Sequence, residues 1–336
     1  LKQAASSPAR DRRGAMMASG SLRRAVAQET LGVLKSGTYS FGGQNVDLAP
    51  LLTRAIAGTE LIPDFRHCIS TRQCRPSEDE APPQRAPAVE SLGAVAEKVV
   101  VATEVSTGGH VKMVVEVTSE STLEAGRRLT EAAADRREEG AIALLNFASA
   151  KNPGGGFQKG AQAQEESLAR ASGLFACLEP HLGDFYAPHR RNPDDGLYSH
   201  AMLHSPQVPF FRDDDGAFVP VWCAAVITSP APNAGVALRK RMPEELASVL
   251  RERCGRILRL ARARGHTELV LGAFGCGVFR NNPEEVAEAF ALWLLHGSEF
   301  ADAFRRVVFA IPGGAADLNH RAFKARFSDA SAGGCG

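Results

Sequence analysis

A run of three glycines and a pair of glutamates are the residues of this chain best suited to chemistry. Gly154, Gly155 and Gly156 leave no side chain between the backbone and a ligand, and they permit positive φ angles, so a polyphosphate or a sugar could lie against the main chain. Glu165 and Glu166 come at the start of the next helical pattern, where a carboxyl group can be held close to the same ligand. Taken alone, the glycines could equally form a plain turn, and a Glu-Glu pair that opens a helix is usually explained by the helix dipole and by solvation.

A second glycine-rich segment, residues 272–279, comes after a short apolar strand pattern that starts at Leu269. Residues 153–157 likewise come after an apolar strand pattern, which ends near Phe147. Because ligands of α/β sheets bind beyond the carboxyl ends of the strands, we expect both segments to face one site. Their backbone N–H groups would then hold a diphosphate from two sides. A plain strand-to-helix turn is the alternative for the second segment.

Strand and helix patterns alternate from about residue 99 onward, and they place both segments in an α/β fold. The predicted strands cover residues 111–118, 141–147, 202–203, 222–228, 269–274 and 306–311. The predicted helices cover residues 123–134, 165–178, 243–263, 283–296 and 318–327. The nearly all-apolar strand at 141–147 is typical of a central strand that is covered on both faces. We predict a three-layer α/β/α sandwich with a mixed sheet.

The chain before this alternation divides into two parts. Residues 1–20 are polar and basic, and we predict a disordered leader. Residues 21–95 are predicted to form a mainly helical accessory segment, with the catalytic domain at 96–330. Within the accessory segment we expect a helix at residues 22–35, a hairpin at 39–48 and a second helix at 51–57. A flexible loop is expected at residues 74–88.

Composition excludes several classes of function. No apolar run is long enough to cross a membrane, and the formal net charge is +1, so bulk charge does not favour nucleic acid. A polyanionic substrate would have to be held by local contacts. His67, Cys68 and Cys74 lie close together, but no second pair with zinc-ligand spacing comes after them, so we expect free thiols and no metal.

Other polar groups have simpler structural explanations. His200 and His204 are expected to be structural or merely exposed, and residues 213–216 are expected to form a polar hairpin tip, because they lack the spacing of a calcium loop. Residues 251–253 and 259–264 are predicted to be the solvated face of the long helix, with contact to a distal part of a polymer as the alternative.

Several motifs together resemble the bacterial-type poly(ADP-ribose) glycohydrolases, which are built on the ADP-ribose-binding macrodomain fold. These motifs lie at residues 145–157, 164–170, 199–202, 205–206, 211–216, 228–233 and 271–281. The resemblance extends over about residues 25–323 and implies a macrodomain-like sandwich with an N-terminal accessory segment. It also implies hydrolysis of the ribose–ribose O-glycosidic bond of poly(ADP-ribose), mainly from the chain terminus, with release of ADP-ribose and with no cofactor or metal.

The resemblance assigns roles to the glutamates. Glu166 matches the catalytic residue of the family, which protonates the leaving ribose oxygen and then, as a carboxylate, deprotonates the attacking water. Glu165 would hold ribose hydroxyls, and Gln164 would orient the pair. Side chains of neighbouring helical residues point about 100° apart, so the two carboxyl groups are not expected to flank one bond as in most glycosidases.

The same resemblance assigns substrate contacts. Phe279 matches an aromatic residue that packs on the terminal ribose, and Asn146 is a candidate hydrogen-bond partner of that ribose. Ser149 stands where macrodomain binders often carry Asn, so the ribose contacts on this side stay open. The predicted substrate-binding residues are Asn146, Gly154, Gly155, Gly156, Gln164, Gly275, Cys276, Gly277, Val278 and Phe279.

The implied partners are poly(ADP-ribose) and poly(ADP-ribosyl)ated proteins, with ADP-ribose as product and with neither a membrane nor nucleic acid bound directly. Such an enzyme would reverse ADP-ribosylation, including that made in a DNA damage response, in the cytoplasm or, in a eukaryote, the nucleus. Two alternatives on the same fold are a mono-ADP-ribosyl hydrolase and a non-catalytic ADP-ribose reader. The paired glutamates argue against the reader, because carboxylates repel a diphosphate.

Overall fold

The structure of the chain, a computed structural model, describes residues 19–64, 103–105, 113–138, 140–295 and 297–328. The predicted leader up to residue 18, the loop at 74–88 and the cluster of His67, Cys68 and Cys74 lie outside these ranges. Within them, no group of three or more histidine, cysteine or acidic side chains could hold a metal ion. No helix in the same ranges is both long and apolar enough to cross a lipid bilayer.

One mixed sheet organises the described residues. The strands are β1 (Thr38–Phe41), β2 (Gln44–Asp47), β3 (Glu60–Ile62), β4 (Thr103–Val105), β5 (Met113–Thr118), β6 (Ile142–Phe147), β7 (Met202–Arg212), β8 (Phe218–Ser229), β9 (Glu268–Leu271) and β10 (Arg306–Ala310). Their order in the eight-stranded sheet is β3-β7-β8-β6-β9-β10-β5-β4. The five strands from β8 to β5 run parallel, whereas β3, β7 and β4 pair with their neighbours in antiparallel fashion. The hairpin of β1 and β2 stands apart from this sheet.

Helices cover both faces of the sheet. They are α1 (Gly20–Ser36), α2 (Ala49–Gly58), α3 (Thr122–Asp135), α4 (Gln164–Ala171), α5 (Leu174–Leu178), α6 (Tyr186–Arg191), α7 (Ala234–Ala237), α8 (Pro243–Ala263), α9 (Pro283–Leu294) and α10 (Leu318–Ser328). Successive strand residues face opposite layers: Leu144 packs with residues of α3 and α4, and Leu145 packs with residues of α8 and α9. The three-layer sandwich with a mixed sheet is therefore confirmed.

Helices with strong local signals begin and end near their predicted residues. α8 has its predicted bounds, Pro243–Ala263. The N-terminus of α9 is capped as predicted, since the Asn282 side chain accepts a hydrogen bond from the Glu284 N–H at 2.8 Å and Pro283 occupies the first turn. These helices are set by periodicity and caps, which the sequence displays directly.

The single helix predicted at 165–178 is wrong, because the chain forms α4 and α5 with a break between them. Ser172 is extended, with φ −149° and ψ 177°, and it forms an isolated bridge with Phe210 of β7. The Gly173 N–H donates to the Pro209 carbonyl at 2.8 Å. The helix therefore ends where its backbone bonds to a neighbouring strand, a tertiary contact that helical periodicity does not reveal.

Strand ends also differ from prediction. The strand predicted at 202–203 continues to Arg212, and a register irregularity between Ser205 and Val208 accommodates Pro206. The strand predicted at 269–274 ends at Leu271, before the glycine-rich segment begins. Residues 213–216 form the tip of the β7–β8 hairpin, as predicted, with the Gly216 N–H bonded to the Asp213 carbonyl.

Candidate active site

A cavity of about 790 Å³ opens where β6 and β9 end. Its walls include residues 147–149, 152–153, 155–159, 162–166, 175, 231, 273, 275 and 277–279. Both glycine-rich segments and both glutamates line it, which confirms that the two segments face one site.

Gln164 fixes the start of α4 to the end of β6. Its side-chain oxygen accepts a hydrogen bond from the Phe147 N–H at 2.9 Å, and its Nε2 donates to the Leu145 carbonyl at 2.7 Å and to Thr122 Oγ1 at 3.2 Å. Since β9 pairs with β6 only as far as Leu144, the Gln164 amide satisfies backbone groups that no longer have a strand partner. This anchoring suits the predicted role of Gln164, which is to orient the two glutamates after it.

Glu165 is the buried carboxyl group of the pair, with 3% of its surface exposed. Its Oε2 accepts a hydrogen bond from the Ser149 N–H at 2.7 Å, and Asn146 Nδ2 lies 3.4 Å from its Oε1. Burial raises the pKa of Glu165 from 4.5 to about 8; the Ser149 N–H opposes this rise, and the charge of Glu166 adds to it. The shift favours the protonated form of Glu165 at neutral pH.

Glu166 is half-buried, and its Oε1 accepts a hydrogen bond from the Gly156 N–H at 2.9 Å. Gly155 lies between the two carboxyl groups: a Cβ there would collide with Glu166 Oε1 and would lie 3.0 Å from Glu165 Oε2. Its φ of 60° is also in the left-handed region that favours glycine. The middle glycine is thus required both by its backbone conformation and by the close approach of two acids.

The second glycine-rich segment presents backbone N–H groups without partners. The N–H groups of Phe274 and Cys276 are used within the turn. Across the described ranges, no acceptor meets the N–H groups of Gly275, Gly277, Val278 and Phe279. Gly275 has φ 74°, and a Cβ there would lie 2.5 Å from the Cβ of Ala231. Neighbouring free amides in a tight turn are suited to binding an anion.

The first segment does not offer its amides in this way, which differs from our expectation of a diphosphate held from two sides. The Gly155 and Phe157 N–H groups bond to the carbonyls of Asn152 and Gly154, and the Gly156 N–H bonds to Glu166. These donors are already occupied. The first segment therefore bonds to the acids, whereas the second segment has amides that no acceptor meets within the described ranges.

Three predicted contact residues lie outside the cavity wall. Asn146 is fully buried and bonds to Thr228 Oγ1 at 3.2 Å as well as approaching Glu165, so it acts on the site through that carboxyl group. Gly154 is buried, and Cys276 packs against the core, with its Sγ 3.9 Å from the Phe274 carbonyl. The other predicted residues line the cavity, with Val278 exposed at its mouth.

Arg253 was predicted to lie on the solvated face of α8, and this prediction is wrong. The side chain is fully buried, and its guanidinium donates to the carbonyls of Pro230, Leu197 and Tyr198 at 2.6, 3.0 and 3.1 Å. Those hydrogen bonds compensate for burying the charge. They fix the loop in which the Tyr198 ring lies 6.1 Å from the ring of Phe279 at the cavity.

The part that Arg253 plays in this loop was not predicted, although a signal was present in the sequence. Leu246, Leu250, Arg253, Ile257 and Leu260 recur every three or four residues and are all buried on one face of α8. The spacing places the arginine inward, and only its charge suggested otherwise.

His204 was expected to be structural or exposed, and it is buried, with its Nε2 3.0 Å from that of His266.

Comparisons with known proteins agree with this site. A family model described as the microbial-type PARG catalytic domain matches residues 27–213. The crystal structure of poly(ADP-ribose) glycohydrolase from Thermomonospora curvata is 42% identical, with 90% of this chain and 98% of that chain covered and a TM-score of 0.72.

Two ligand complexes show the same likeness. The Thermomonospora curvata enzyme bound to the inhibitor ADP-HPD is 40% identical over 90% of this chain and 98% of that chain, with a TM-score of 0.73. The enzyme from Deinococcus radiodurans in complex with ADP-ribose is 36% identical over 83% of this chain and 98% of that chain, with a TM-score of 0.64. No curated protein gave a match. The chain belongs to the microbial-type poly(ADP-ribose) glycohydrolases.

Proposed function

We propose that this chain hydrolyses the ribose–ribose O-glycosidic bond of poly(ADP-ribose), mainly at the chain terminus, and releases ADP-ribose. The observation that carries the proposal is the presence in one cavity of the Glu166 carboxyl group and of four amides, those of Gly275, Gly277, Val278 and Phe279, that no acceptor meets within the described ranges. Family membership and the ADP-ribose complex of the Deinococcus radiodurans enzyme support the same reaction.

The second glycine-rich segment is the proposed diphosphate site. The N–H groups of Gly275, Gly277, Val278 and Phe279, which no acceptor meets in the described part of the chain, would donate to phosphate oxygens. Net charge gives the chain no general attraction for a polyanion, so these local donors supply the recognition. The ring of Phe279, which also lines the cavity, would pack on the ribose attached to that diphosphate.

Glu166 is the proposed acid and base. In its protonated form it donates a proton to the ribose oxygen that leaves as the glycosidic bond breaks; the resulting carboxylate then removes a proton from the attacking water, which restores the protonated form. The Gly156 N–H holds one oxygen of this carboxyl group, and the other oxygen has no hydrogen-bond partner among the described residues. A side chain that is fixed at one oxygen and free at the other can transfer protons in a constant direction.

Glu165 is proposed to hold ribose hydroxyls rather than to transfer protons. Because burial keeps it protonated at neutral pH, it adds no negative charge beside the diphosphate. A protonated carboxyl group can also donate a hydrogen bond as well as accept one. This answers the electrostatic objection to placing two glutamates near a diphosphate.

Poly(ADP-ribosyl)ated proteins are the proposed macromolecular partners, since they carry the polymer that the site would shorten. The proposed compartment is the reducing cytoplasm. The described cysteines, Cys177, Cys223, Cys254 and Cys276, are all free thiols, which suits that environment.

The experiment that tests the function compares purified protein on an automodified poly(ADP-ribosyl)ated protein and on a mono-ADP-ribosylated one. We expect loss of polymer, appearance of free ADP-ribose and retention of the last unit on the protein. Release of the single unit would instead identify a mono-ADP-ribosyl hydrolase. Intact polymer together with tight ADP-ribose binding would identify a reader.

A further inference from the structure

The segment that joins the triple glycine to α4, residues 157–163, forms one wall of the cavity, and we call it the wall segment. Phe157, Gln158, Lys159, Gln162 and Ala163 from this segment line the cavity. Both ends of the segment adjoin Glu166, because the preceding Gly156 donates to its Oε1 and Ala163 directly precedes α4. The position of the wall segment therefore controls the position of the acid.

Little within the wall segment holds it in place. Its regular structure is one 3-10 turn, Phe157–Lys159, which ends at Gly160 with φ 79°. The Ala161 N–H returns to the Gly156 carbonyl at 3.2 Å. The chain beyond this turn is exposed at Ala161, Gln162 and Ala163. A short turn of this kind needs external contacts to keep one conformation.

Two arginines supply those contacts. Arg23 of α1 donates from Nε to the Gly160 carbonyl at 2.7 Å. Arg170 of α4, which is 2% exposed, donates to the Ala161 carbonyl at 2.7 Å and to Gln162 Oε1 at 2.5 Å. Successive residues of the wall segment are thus held by charged donors from two helices, and such donors form stronger hydrogen bonds than neutral ones.

Helix α1 is firmly seated beside α4. The buried Thr30 hydroxyl donates to the Arg170 carbonyl at 2.7 Å and accepts from Arg212 Nε at 3.1 Å. Ala27 packs in one apolar cluster with Phe157 of the wall segment and with residues of α4 and α5. Gly160 also fits closely against the helix, since a Cβ there would collide with the backbone of Gly20. The first half of the N-terminal helix therefore contacts the wall segment at Gly20, Arg23 and Ala27.

From these contacts we propose that Arg23 is a positioning residue for the glycohydrolase reaction, acting on Glu166 through the wall segment. The expected effect on turnover rests on the proposed function, whereas the expected effect on the conformation of the wall segment does not. It makes α1, which lies before the macrodomain-like part of the chain, a component of the active site. Arg23 does not line the cavity itself, so its effect is expected in turnover and not in the binding of ADP-ribose.

The test replaces Arg23 by Ala and by Lys, with Lys35→Ala as the matched control, because Lys35 is an exposed cation at the other end of α1. Arg23→Ala is expected to lower kcat about tenfold and to leave the Kd for ADP-ribose within about twofold. Arg23→Lys retains a cationic donor and should recover most of the loss. Wild-type kcat in Arg23→Ala would overturn the proposal.

A double variant separates positioning from a general loss of structure. If Arg23 acts through Glu166, Arg23→Ala should not lower further the residual rate of Glu166→Gln. An equal, about tenfold loss in both backgrounds would overturn the proposal, because a merely structural effect does not need the carboxyl group.

Amide hydrogen exchange provides a readout without turnover. We expect exchange in residues 157–163 to be at least about tenfold faster in Arg23→Ala than in the wild type, with α8 unchanged. Unchanged exchange in the wall segment would overturn the proposal. A wild-type chain that failed to degrade the polymer would contradict the proposed function, and the exchange result would still decide whether Arg23 fixes the wall segment.

Discussion

The two glycine-rich segments of the cavity come after neighbouring parallel strands, β6 and β9, and use their backbone amides in opposite ways. In residues 153–157, the amides bond to nearby carbonyls and to Glu166. In residues 272–279, the amides of Gly275, Gly277, Val278 and Phe279 have no acceptor within the described part of the chain. Similar composition therefore serves two purposes, holding acids in one segment and leaving donors for an anion in the other.

The difference arises from the residues on the C-terminal side of each segment. α4 begins with Gln164, Glu165 and Glu166, whose side chains turn back toward β6 and the first segment. After the second segment comes Asn281, whose side-chain amide donates to the Gly275 carbonyl. It therefore bonds to a carbonyl of the turn and not to the turn's N–H groups. The residues after a glycine-rich turn thus decide whether its amides bond to side chains of the fold or stay without an acceptor in the described residues.

The largest effect is expected from replacing Glu166, the acid of α4 that bonds to the first segment. Glu166→Gln should lower kcat by about 10² to 10⁴, the usual contribution of a general acid–base. The Kd for ADP-ribose should stay within about tenfold, or ~1.4 kcal/mol, because the second segment is unchanged. Steady-state kinetics and calorimetry check both values, with the exposed Glu179→Gln as control. A variant that kept wild-type turnover would contradict the mechanism.

A smaller effect, and one on binding, is expected in the second segment. Gly275→Ala places a Cβ against Ala231 and Asn281 at a φ of 74°, so the turn must shift. We expect the Kd for ADP-ribose to rise about 10- to 100-fold, or ~1.4 to 2.7 kcal/mol, by calorimetry. Gly183→Ala is the control, since its Cβ would meet no atom within 4 Å. Unchanged affinity in Gly275→Ala would remove the distinction between the segments.

A loss of turnover that is smaller again is expected when α4 is released from β6. Gln164→Ala leaves the Phe147 N–H and the Leu145 carbonyl without their side-chain partner, so the free energy of unfolding should fall by about 1 to 3 kcal/mol. Turnover should fall about tenfold because the acids lose their orientation. Denaturant unfolding and kinetics measure the two effects. The exposed Gln44→Ala serves as control, and equal behaviour of the two variants would show that Gln164 does not anchor the site.

The effect with the least bearing on turnover concerns stability and its dependence on pH. The pKa of Glu165 is raised from 4.5 to about 8 in the fold, so its contribution to stability is fully present below pH 4.5 and is lost as pH rises to about 8. Glu165→Gln has no such titration. At pH 9 its Tm should exceed that of the wild type by about 5–10 °C, and the difference should shrink toward pH 5. A difference independent of pH, measured by thermal scans, would show that Glu165 is not held protonated.

Much of this arrangement was predictable because it depends on local signals. The bounds of α8 and the cap at Asn282 are set by periodicity and by capping residues, and the motif placed Glu166 close to the first glycine-rich segment, where it bonds to Gly156. The break at Ser172 was not predictable, because it depends on a backbone contact with β7. Arg253 was wrongly predicted to face solvent, because we gave its charge more weight than its position on the apolar face of α8.

The division of labour between the two segments was also hidden in the sequence. Both are rich in glycine and both come after strands, so we expected both to hold the diphosphate. Which amides are occupied depends on how far Glu165 and Glu166 reach back from α4, and which carboxyl group is buried depends on packing around β6. These are properties of the assembled fold and not of either motif alone.

The most direct test of this division between the segments is a crystal structure of Glu166→Gln with ADP-ribose bound, in which the distances from the diphosphate oxygens to the backbone nitrogens are measured. We predict hydrogen bonds of about 2.7–3.2 Å to amides of residues 275–279, with the distal ribose beside the side chain at position 166. A diphosphate bound instead to the amides of residues 153–157 would contradict the division.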